Sequence, residues 1–261
     1  MAKVSVIKLL QNHDPSLDKD KATALVICKN VYVDGELCTD PRRSFPSSSS
    51  VDVVFPKYVS RGGFKLEKAL DSFQLDSIEG KVALDAGSST GGFSDCLLQR
   101  GVKAVHCVDV GFNLLDFKIR SDSRTVIHEK CNIMNLTLSD LDPKPDFAVA
   151  DLSFRSLKGA ARHVLDLTFS RWMIALIKPQ FEVPRWQEDF FGVVNDPGLM
   201  KETLAAVWEN LDEDGVGVYD AVVSPIKGHK GNTEFLALLK DKGDGALSSN
   251  EFIEKCLKES L

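Results

Sequence analysis

The sequence predicts a doubly wound α/β fold, with helices on both faces of a mostly parallel sheet, preceded by a small α+β unit. From about residue 57 onward, apolar strand-like segments alternate with helical segments, which is the pattern of βαβ units. Before that point, two short helical segments lead into a hairpin instead. The last two strand-like segments lack a long helix between them, so they predict an antiparallel pair at one edge of the sheet.

The predicted N-terminal unit spans residues 1–56. Apolar residues at helical spacing predict two helices, through Val6, Leu9 and Leu10 and through Ala22, Leu25 and Val26. The segment VYVDGELC then predicts a hairpin that turns at Asp34 and Gly35. The polar stretch 42–50 predicts turns, and residues 51–55 predict a short strand. A unit of this size holds little core of its own.

The larger domain is predicted to follow a linker at 57–61, to extend over 62–240 and to be followed by a tail, 241–261, of loop and short helix. The periodicity predicts helices at 62–74, 91–100, 155–168 and 196–211. It predicts strands at 81–87, 104–110, 125–130, 145–152, 172–178, 215–224 and 232–239.

Composition indicates a globular protein. Of the 261 residues, 43% are hydrophobic and 27% are charged, which is ordinary for a folded domain. No apolar run approaches the roughly 20 residues of a membrane span, and the N-terminus carries no signal-peptide core, so we expect a cytoplasmic protein. The six cysteines form no Cys-x-x-Cys pair and the five histidines have no ligand spacing, so we expect reduced thiols and no metal.

The most specific motif is KVALDAGSSTGGF, residues 81–93. An apolar strand runs into Asp85, the chain turns at Gly87, and a helix begins near Gly91, where free N–H groups can meet a ligand. The single glycine of the first turn suits a pyrophosphate less well than the dinucleotide fingerprint does, and Asp85 would repel phosphate. We therefore predict S-adenosylmethionine, which has an ammonium for the acid, directly or through water, and no phosphate. A glycine-rich turn with purely structural acids is the alternative.

Seven motifs follow one another along the chain. They are YVSRGGFKLEKAL (58–70), LDAGSSTGGFSDCLLQRG (84–101), VDVGFNLLDFKIR (108–120), ADLSFRSL (150–157), IKPQFE (177–182), GVVNDP (192–197) and SPIKGHKGNTEF (224–235). In this order they resemble the TlyA haemolysin-like family of FtsJ-like ribosomal RNA 2′-O-methyltransferases. The resemblance covers essentially the whole chain. It implies an S-adenosylmethionine-dependent, Rossmann-like methyltransferase domain behind an S-four-type RNA-binding domain, and methyl transfer to a ribose 2′-hydroxyl of ribosomal RNA or ribosomal subunits.

The resemblance also implies a catalytic tetrad around the target hydroxyl. The matching residues are Lys65, Asp151, Lys178 and Glu234. The residue pattern agrees for Asp151 and Lys178, because both end apolar strands, where α/β active sites form. We expect the tetrad to orient the hydroxyl and to stabilise developing alkoxide charge, since carboxylates beside Lys178 favour its charged form. Four unrelated ion-pair residues are the alternative.

The predicted cofactor contacts follow the glycine turn and the next strands. Asp109 ends the strand AVHCVDV about 20 residues after the turn, the expected place for a ribose-binding acid. Asn132 is expected on the adenine side, Asp151 beside both cofactor and substrate, and Phe112 in the core, with packing on the adenine as the alternative. The residues predicted around the methionine part are Asp85, Gly87, Ser89, Gly91, Gly92 and Phe93.

A local basic cluster accompanies a net charge of −6, which by itself argues weakly against non-specific nucleic-acid binding. The residues that we predict to bind RNA are Arg42, Arg43, Lys57, Arg61 and Lys68, although a solvated surface would show the same pattern. The N-terminal unit departs from the S-four pattern, because it opens with VSVIKLL and has Lys29 and Asn30 where the family has glycine. These departures put its RNA affinity in question more than its fold.

Two other functions compete with RNA methylation. Some members of the family are named haemolysins, which suggests a membrane-active protein. Against this, the chain contains no apolar span of membrane length, and its cofactor motif is intact. A non-catalytic RNA-binding protein would have a damaged tetrad or glycine turn, and both are intact. The sequence specifies neither the target nucleotide nor the ribosomal subunit, and for the oligomeric state a monomer is slightly favoured.

Overall fold

The computed structural model describes residues 3–153, 156–183 and 192–258. The chain divides into two compact units, Met1–Lys57 and Tyr58–Leu261. This division splits the predicted linker, 57–61, since Lys57 belongs to the smaller unit and 58–61 to the larger one, which also includes the predicted tail. Within the described ranges, no helix is both long and apolar enough to cross a membrane.

The smaller unit combines two helices with short strands over residues 3–57. Helix α1 spans Val6–His13 and α2 spans Lys19–Ile27, and the side chains of Ser5 and Asp18 cap their N-termini by accepting backbone hydrogen bonds. The strands are β1 Lys3–Ser5, β2 Val31–Val33, β3 Glu36–Leu37, β4 Ser44–Pro46 and β5 Val51–Val53. A small core of its own lies between these elements, with residues such as Leu10 and Val26 fully buried.

The predicted hairpin is confirmed. Strand β2 pairs antiparallel with β3, and the turn residues Asp34 and Gly35 both have positive φ, 52° and 81°, as a tight two-residue hairpin turn requires. The stretch 42–50 was predicted as turns alone, and this is wrong for Ser44–Pro46, which form β4 and pair with β1. The reason is that Phe45 lies in the core of this unit, which a reading of the surrounding serines and prolines does not show.

In its described residues, the larger unit contains a seven-stranded sheet in the order β11-β12-β10-β9-β6-β7-β8. The strands are β6 Val82–Ala86, β7 Ala104–Asp109, β8 Thr125–Glu129, β9 Phe147–Ala150, β10 Trp172–Ile177, β11 Val216–Val223 and β12 Phe235–Asp241. Strands β10, β9, β6, β7 and β8 are parallel, and β12 lies antiparallel between β10 and β11. The prediction of a mostly parallel sheet with an antiparallel edge pair is confirmed.

Helices lie between the strands of the larger unit. They are α3 Gly62–Ser72, α4 Gly92–Gln99, α5 Phe117–Arg120, α6 Ala160–Asp166, α7 Pro179–Glu182, α8 Pro197–Glu213 and α9 Ser249–Lys258, with 3-10 turns at Ile133–Asn135, Leu138–Asp140 and His229–Gly231. The helix predicted from Arg155 begins at Ala160; Phe154 and Arg155 lie outside the described residues, as do the last three residues of the tail. The four-residue helices α5 and α7 are too short for periodicity to reveal.

Two apolar layers cover the sheet. On one face, buried residues of β6, β9 and β10 pack with α6, α8 and α9, as shown by Val164, Leu204 and Phe252. On the other face, α3 and α4 contribute Leu66 and Leu97. The chain proceeds outward from β6 through β7 to β8 and then returns to β9 on the other side of β6. This reversal opens a crevice at the carboxyl ends of β6 and β9, the usual binding position in such sheets.

The C-terminal helix is an integral part of the larger unit. Because Phe252 is fully buried, we expect Phe252→Ala to lower the free energy of unfolding by about 3–5 kcal/mol, the usual cost of such a cavity. Urea unfolding of the whole chain measures this, with the exposed Glu254→Ala on the same helix as the control, expected within about 0.5 kcal/mol of wild type. Equal stability of the two variants would show that α9 does not belong to this core.

Candidate active site

The glycine turn after β6 brings two strand ends into direct contact. Gly87 has φ +86°, and a β-carbon at this position would lie 2.5 Å from the carbonyl oxygen of Asp151. The backbone N–H groups of Gly87 and Ser88 both donate to the carbonyl of Val108, at 2.9 and 3.1 Å. Residue 87 must therefore lack a side chain for the ends of β6, β7 and β9 to meet.

Helix α4 begins without a side-chain cap. Gly91 precedes it with φ 92° and has no side chain, so the first-turn N–H groups of α4 donate to no N-cap side chain. Next along the chain, Gly92 packs against Ser60 and the start of α3, where a β-carbon would lie 3.0 Å from the backbone nitrogen of Gly63. The helix N-terminus thus has N–H groups available for a ligand and lies close to the helix that carries Lys65.

Two cavities open at this edge of the sheet. Gly87, Ser89, Asp151 and Ser153 line both of them. The first, of about 770 Å³, is also lined by the start of α4 and the loop before β12. The second, of about 590 Å³, lies toward the ends of β7 and β8. Both volumes are within the usual range of small-molecule sites.

The four predicted tetrad residues all line the first cavity. Lys178 Nζ lies 2.5 Å from Asp151 Oδ1 and donates to Ser153 Oγ at 3.0 Å. Lys65 Nζ lies 2.5 Å from Glu234 Oε2. The structure thus brings the four together as two ion pairs. Since Glu234 is 3% exposed and Lys65 12%, their pair is largely shielded from water, where attraction between charges is stronger than at the surface.

Several polar residues of the first cavity were not predicted from the sequence, and three of them lie close to tetrad residues along the chain. Ser153, Gln180 and Asn232 line its wall. The side chain of Asn232 is buried, accepts from the N–H of Val194 at 3.0 Å and donates to the carbonyl of Gly192 at 2.9 Å. All three stand inside motifs used for the family resemblance, so their signal was present in the sequence but was assigned only to neighbouring charged residues.

Asp85 lies beneath the turn and not on a cavity wall. It is fully buried, and its Oδ2 accepts a hydrogen bond from Ser94 Oγ at 2.5 Å, whereas its Oδ1 has no partner among the described residues. Burial raises the pKa of Asp85 to about 7, against the lowering effect of the Ser94 hydrogen bond and with a further raising effect from the charge of Asp151. The carboxyl therefore ties β6 to the first turn of α4.

The second cavity contains the predicted ribose and adenine residues. Asp109 accepts from the backbone N–H groups of Ser89 at 2.9 Å and Gly111 at 2.7 Å, so one carboxylate holds two loops at the cavity wall. Asn132, also on this wall, accepts from the N–H of Met134 at 3.1 Å and starts a 3-10 turn. Within the described ranges, no three His, Cys, Asp or Glu side chains are grouped as metal ligands would be.

The two predicted aromatic contacts differ in position. Phe93 is 3% exposed and lines the first cavity beside the glycine turn. The core position expected for Phe112 is wrong, because Phe112 is 64% exposed on the loop after β7, with Lys130 Nζ 4.5 Å from its ring centroid. It does not line the second cavity either. The apolar residues around it in the sequence belong to an exposed loop, which a hydrophobic pattern does not distinguish from a core segment.

The predicted RNA-binding residues occupy different surroundings. In the smaller unit, Arg42 pairs with Asp40 at 3.3 Å, while Arg43 pairs with Glu36 at 3.7 Å and lies over Phe45. The last residue of that unit, Lys57, is exposed. In the larger unit, Arg61 is exposed and lines the first cavity, and Lys68 is half-buried on α3. Of the five, only Arg61 lines the first cavity.

Comparison with known proteins shows which family this chain is similar to. The family model for FtsJ-like methyltransferases matches residues 58–241. The chain is 37% identical to hemolysin A from Brachyspira hyodysenteriae, over 84% of this chain and 92% of that protein. It is 35% identical to the 16S/23S rRNA (cytidine-2′-O)-methyltransferase TlyA from Mycobacterium tuberculosis, over 88% of this chain and 87% of that protein.

A solved structure is similar to this chain over its whole length. A candidate hemolysin from Streptococcus thermophilus is 34% identical, with a TM-score of 0.73, and the match covers 100% of this chain and 98% of the other. The family model begins at residue 58, so the S-four-type identity of the smaller unit stays a prediction.

The buried acid below the turn makes stability depend on pH. The folded pKa of Asp85, about 7, lies above the ordinary value of 3.8. Its proton therefore stabilises the folded state in full below about pH 4, and this contribution is lost as the pH rises through about 7. Between pH 5 and 7, we expect the unfolding free energy of wild type minus that of Asp85→Asn to fall by about 1.4 kcal/mol per pH unit.

Urea unfolding at four pH values, without cofactor, measures this difference. The exposed Asp76→Asn controls for loss of one carboxylate at the surface. A difference between wild type and Asp85→Asn that does not change with pH would mean that Asp85 is ionised in the folded protein.

Proposed function

Because the chain belongs to the FtsJ-like methyltransferase family, we propose that it transfers the methyl group of S-adenosylmethionine to a ribose 2′-hydroxyl of ribosomal RNA. The observation that carries this proposal is the convergence of Lys65, Asp151, Lys178 and Glu234 on one cavity beside the glycine turn. A cofactor turn alone would suit many methyl acceptors. Two lysines, each paired with a carboxylate, suit an acceptor that is a neutral hydroxyl.

The residues present fit S-adenosylmethionine. Gly87 leaves space where a β-carbon would contact Asp151, and the first turn of α4 has no side-chain cap. Asp109 and Asn132 line the second cavity, and we assign Asp109 to the ribose hydroxyls and Asn132 to the adenine side. When bound, the cofactor supplies an electrophilic methyl group on a sulfonium. The residues that we propose around its methionine part are Asp85, Gly87, Ser89, Gly91, Gly92, Phe93 and Asp151, with Asp85 acting through Ser94 and the turn.

Within the first cavity, we assign Lys178 the central role. Its ammonium, held by Asp151 and Ser153, can donate a hydrogen bond to the target oxygen and leave a lone pair directed at the methyl group. As the hydroxyl proton passes to solvent water, the oxygen gains negative charge and its contact with Lys178 strengthens, which is the condition for catalysis by a preorganised charge. Because each lysine is paired with a carboxylate, we assign the lysines to orientation and electrostatic stabilisation and not to proton abstraction. Alignment alone can supply about 7–11 kcal/mol of such a barrier.

The names of the relatives support the substrate class. The Mycobacterium tuberculosis relative is named as an rRNA (cytidine-2′-O)-methyltransferase, and we extend ribosomal RNA, with a cytidine as the target, to this chain. Basic residues in each unit would neutralise phosphates: Arg42, Arg43 and Lys57 in the smaller, Arg61 and Lys68 in the larger. Because its proposed substrate is ribosomal RNA, we propose that the protein acts in the cytoplasm.

The haemolysin names of two relatives favour another function less well. A membrane-active role leaves the buried pair of Lys65 and Glu234, and its convergence with Lys178 on one cavity, without a purpose. A non-catalytic RNA-binding protein would equally have no need of an uncapped helix N-terminus beside that cavity.

Cofactor binding tests the first half of the proposal. We expect S-adenosylhomocysteine or S-adenosylmethionine to bind with a micromolar Kd, about −8 kcal/mol, in titration calorimetry. Asp109→Ala should weaken binding at least tenfold, because it removes the ribose acceptor and releases Ser89 and Gly111, while Asp76→Asn should bind normally. Binding of NAD in place of these ligands would contradict the cofactor assignment.

Methyl transfer tests the second half. We expect Lys178→Ala to slow single-turnover methylation of ribosomal RNA by about 100- to 1000-fold, the usual loss for a positioned electrostatic contact, while cofactor affinity and Tm stay close to wild type. Lys144→Ala, at the opposite edge of the sheet, removes the same charge as a control. Lys65→Ala and Glu234→Ala should also be slow, and their double variant less than additive, because the pair acts as a unit. Near-normal transfer by Lys178→Ala would mean that the tetrad assignment is wrong.

A further inference from the structure

The wall of the first cavity contains more cationic side chains than the two that form its ion pairs. Its charged wall residues are Arg61, Lys65, Asp151, Lys178, Lys227, Lys230 and Glu234. Both acids are already paired, at 2.5 Å, with Lys65 and Lys178. Among the described residues, no carboxylate lies within ion-pair distance of the remaining three cations. In a chain of net charge −6, this wall is a local positive region.

Two of these three cations lie on one short turn, residues 227–231, which we call the lysine turn. Its hydrogen bonds run from the N–H of Gly228 to the carbonyl of Asn232 at 2.8 Å and from the N–H of Gly231 to the carbonyl of Gly228 at 3.1 Å. Lys230 has φ 57° and Gly231 has φ 86°, so two successive residues are left-handed. A lysine rarely adopts this conformation, and such an outlier is a reason to look for function.

The lysine turn lies directly on the buried end of the tetrad. A β-carbon on Gly228 would collide with the Glu234 carboxylate, so only a glycine allows the turn this close. Immediately after the turn, Asn232 is buried and bonded to Gly192 and Val194, which fixes where the turn ends. Lys227 Nζ donates to Thr233 Oγ1 at 2.7 Å, and Lys230 extends toward Gly192. The two ammonium groups are therefore carried on a fixed backbone at the wall of the catalytic cavity.

The chemistry of the proposed substrate indicates what these groups bind. A ribose whose 2′-hydroxyl enters the cavity carries a phosphodiester on each side, and the one on the 3′ oxygen is attached to the neighbouring carbon. Lysine binds phosphate as a mobile point charge, without the bidentate geometry that arginine needs. A cation next to the wall that receives the hydroxyl is thus close to where a backbone phosphate must lie.

Resting on the proposed function, we propose that Lys227 and Lys230 form a phosphate site that holds the RNA backbone beside the target ribose. They are positioning residues: they fix the strand so that the hydroxyl reaches Lys178, and take no part in the transfer itself. Arg61, across the same cavity wall, adds a third cation to this site.

Salt-dependent RNA binding tests the site. The variant is Lys227→Ala with Lys230→Ala, and the matched control is Lys103→Ala with Lys144→Ala, two exposed lysines next to the amino ends of β7 and β9. Binding of in vitro transcribed 16S and 23S ribosomal RNA is measured with S-adenosylhomocysteine present, over a salt series. Each phosphate contact contributes roughly 0.7–0.9 to the slope of log affinity against log salt. We expect the slope of the variant to be smaller by about 1.4–1.8, and its KM for RNA to rise at least tenfold with unchanged cofactor Kd.

Several outcomes would overturn the site. Equal salt slopes for variant and control would do so, as would a loss of turnover with unchanged RNA affinity, which would make the lysines part of the transfer chemistry. The variant Lys227→Gln with Lys230→Gln keeps side-chain length without charge and must show the same slope change. Failure of the proposed function is a separate result, because it appears as wild-type protein that binds these RNAs and transfers no methyl group to them.

Discussion

The contact between Gly87 and the carbonyl oxygen of Asp151 is the constraint on which the site depends. A β-carbon at residue 87 would lie 2.5 Å from that oxygen. With a glycine there, the glycine turn and the end of β9 share one wall, so Asp151 adjoins the residues that we propose to hold the methyl donor. Gly92 acts in the same way toward the start of α3. The absence of a side chain at these two glycines therefore allows the close approach of the backbone segments around the site.

Electrostatic balance is the second requirement. A buried charge without a partner is costly, whereas a paired one is tolerated. Glu234 is nearly inaccessible and has Lys65 as its partner, and Lys178 is held between Asp151 and Ser153. Asp85 has no cation within ion-pair distance among the described residues, and burial raises its pKa to about 7, which favours its neutral form. The lysine turn is the exception, because no carboxylate in the described part of the chain pairs with its charges, as a site for an anionic backbone requires.

The mostly parallel sheet and the strand ends that line the two cavities could be predicted because their signals are local. Apolar strands ending in Asp85, Asp109, Asp151 or Lys178 place polar groups at one edge of a parallel sheet, whatever the details of packing. The sequence could not show how deeply each of these side chains is buried. Asp85 and Asp109 follow similar strands, yet one is fully buried under the turn and the other faces a cavity. Phe112 shows the opposite error, because an apolar residue near a strand was expected inside and is exposed. Gly228 lies in a family motif, but its role could not be predicted, since it depends on Glu234, which contacts it only in the folded chain.

The position of the methyl group on the product shows whether the acceptor is a ribose hydroxyl. Unmodified ribosomal RNA is incubated with the protein and isotopically labelled S-adenosylmethionine, digested to nucleosides, and the labelled nucleoside is fragmented in a mass spectrometer. The account predicts that the label stays with the ribose fragment, at the 2′ oxygen, and that RNA with a 2′-deoxy or 2′-O-methyl residue at the target accepts none. Label on the base fragment, or transfer to the 2′-deoxy substrate, would contradict it.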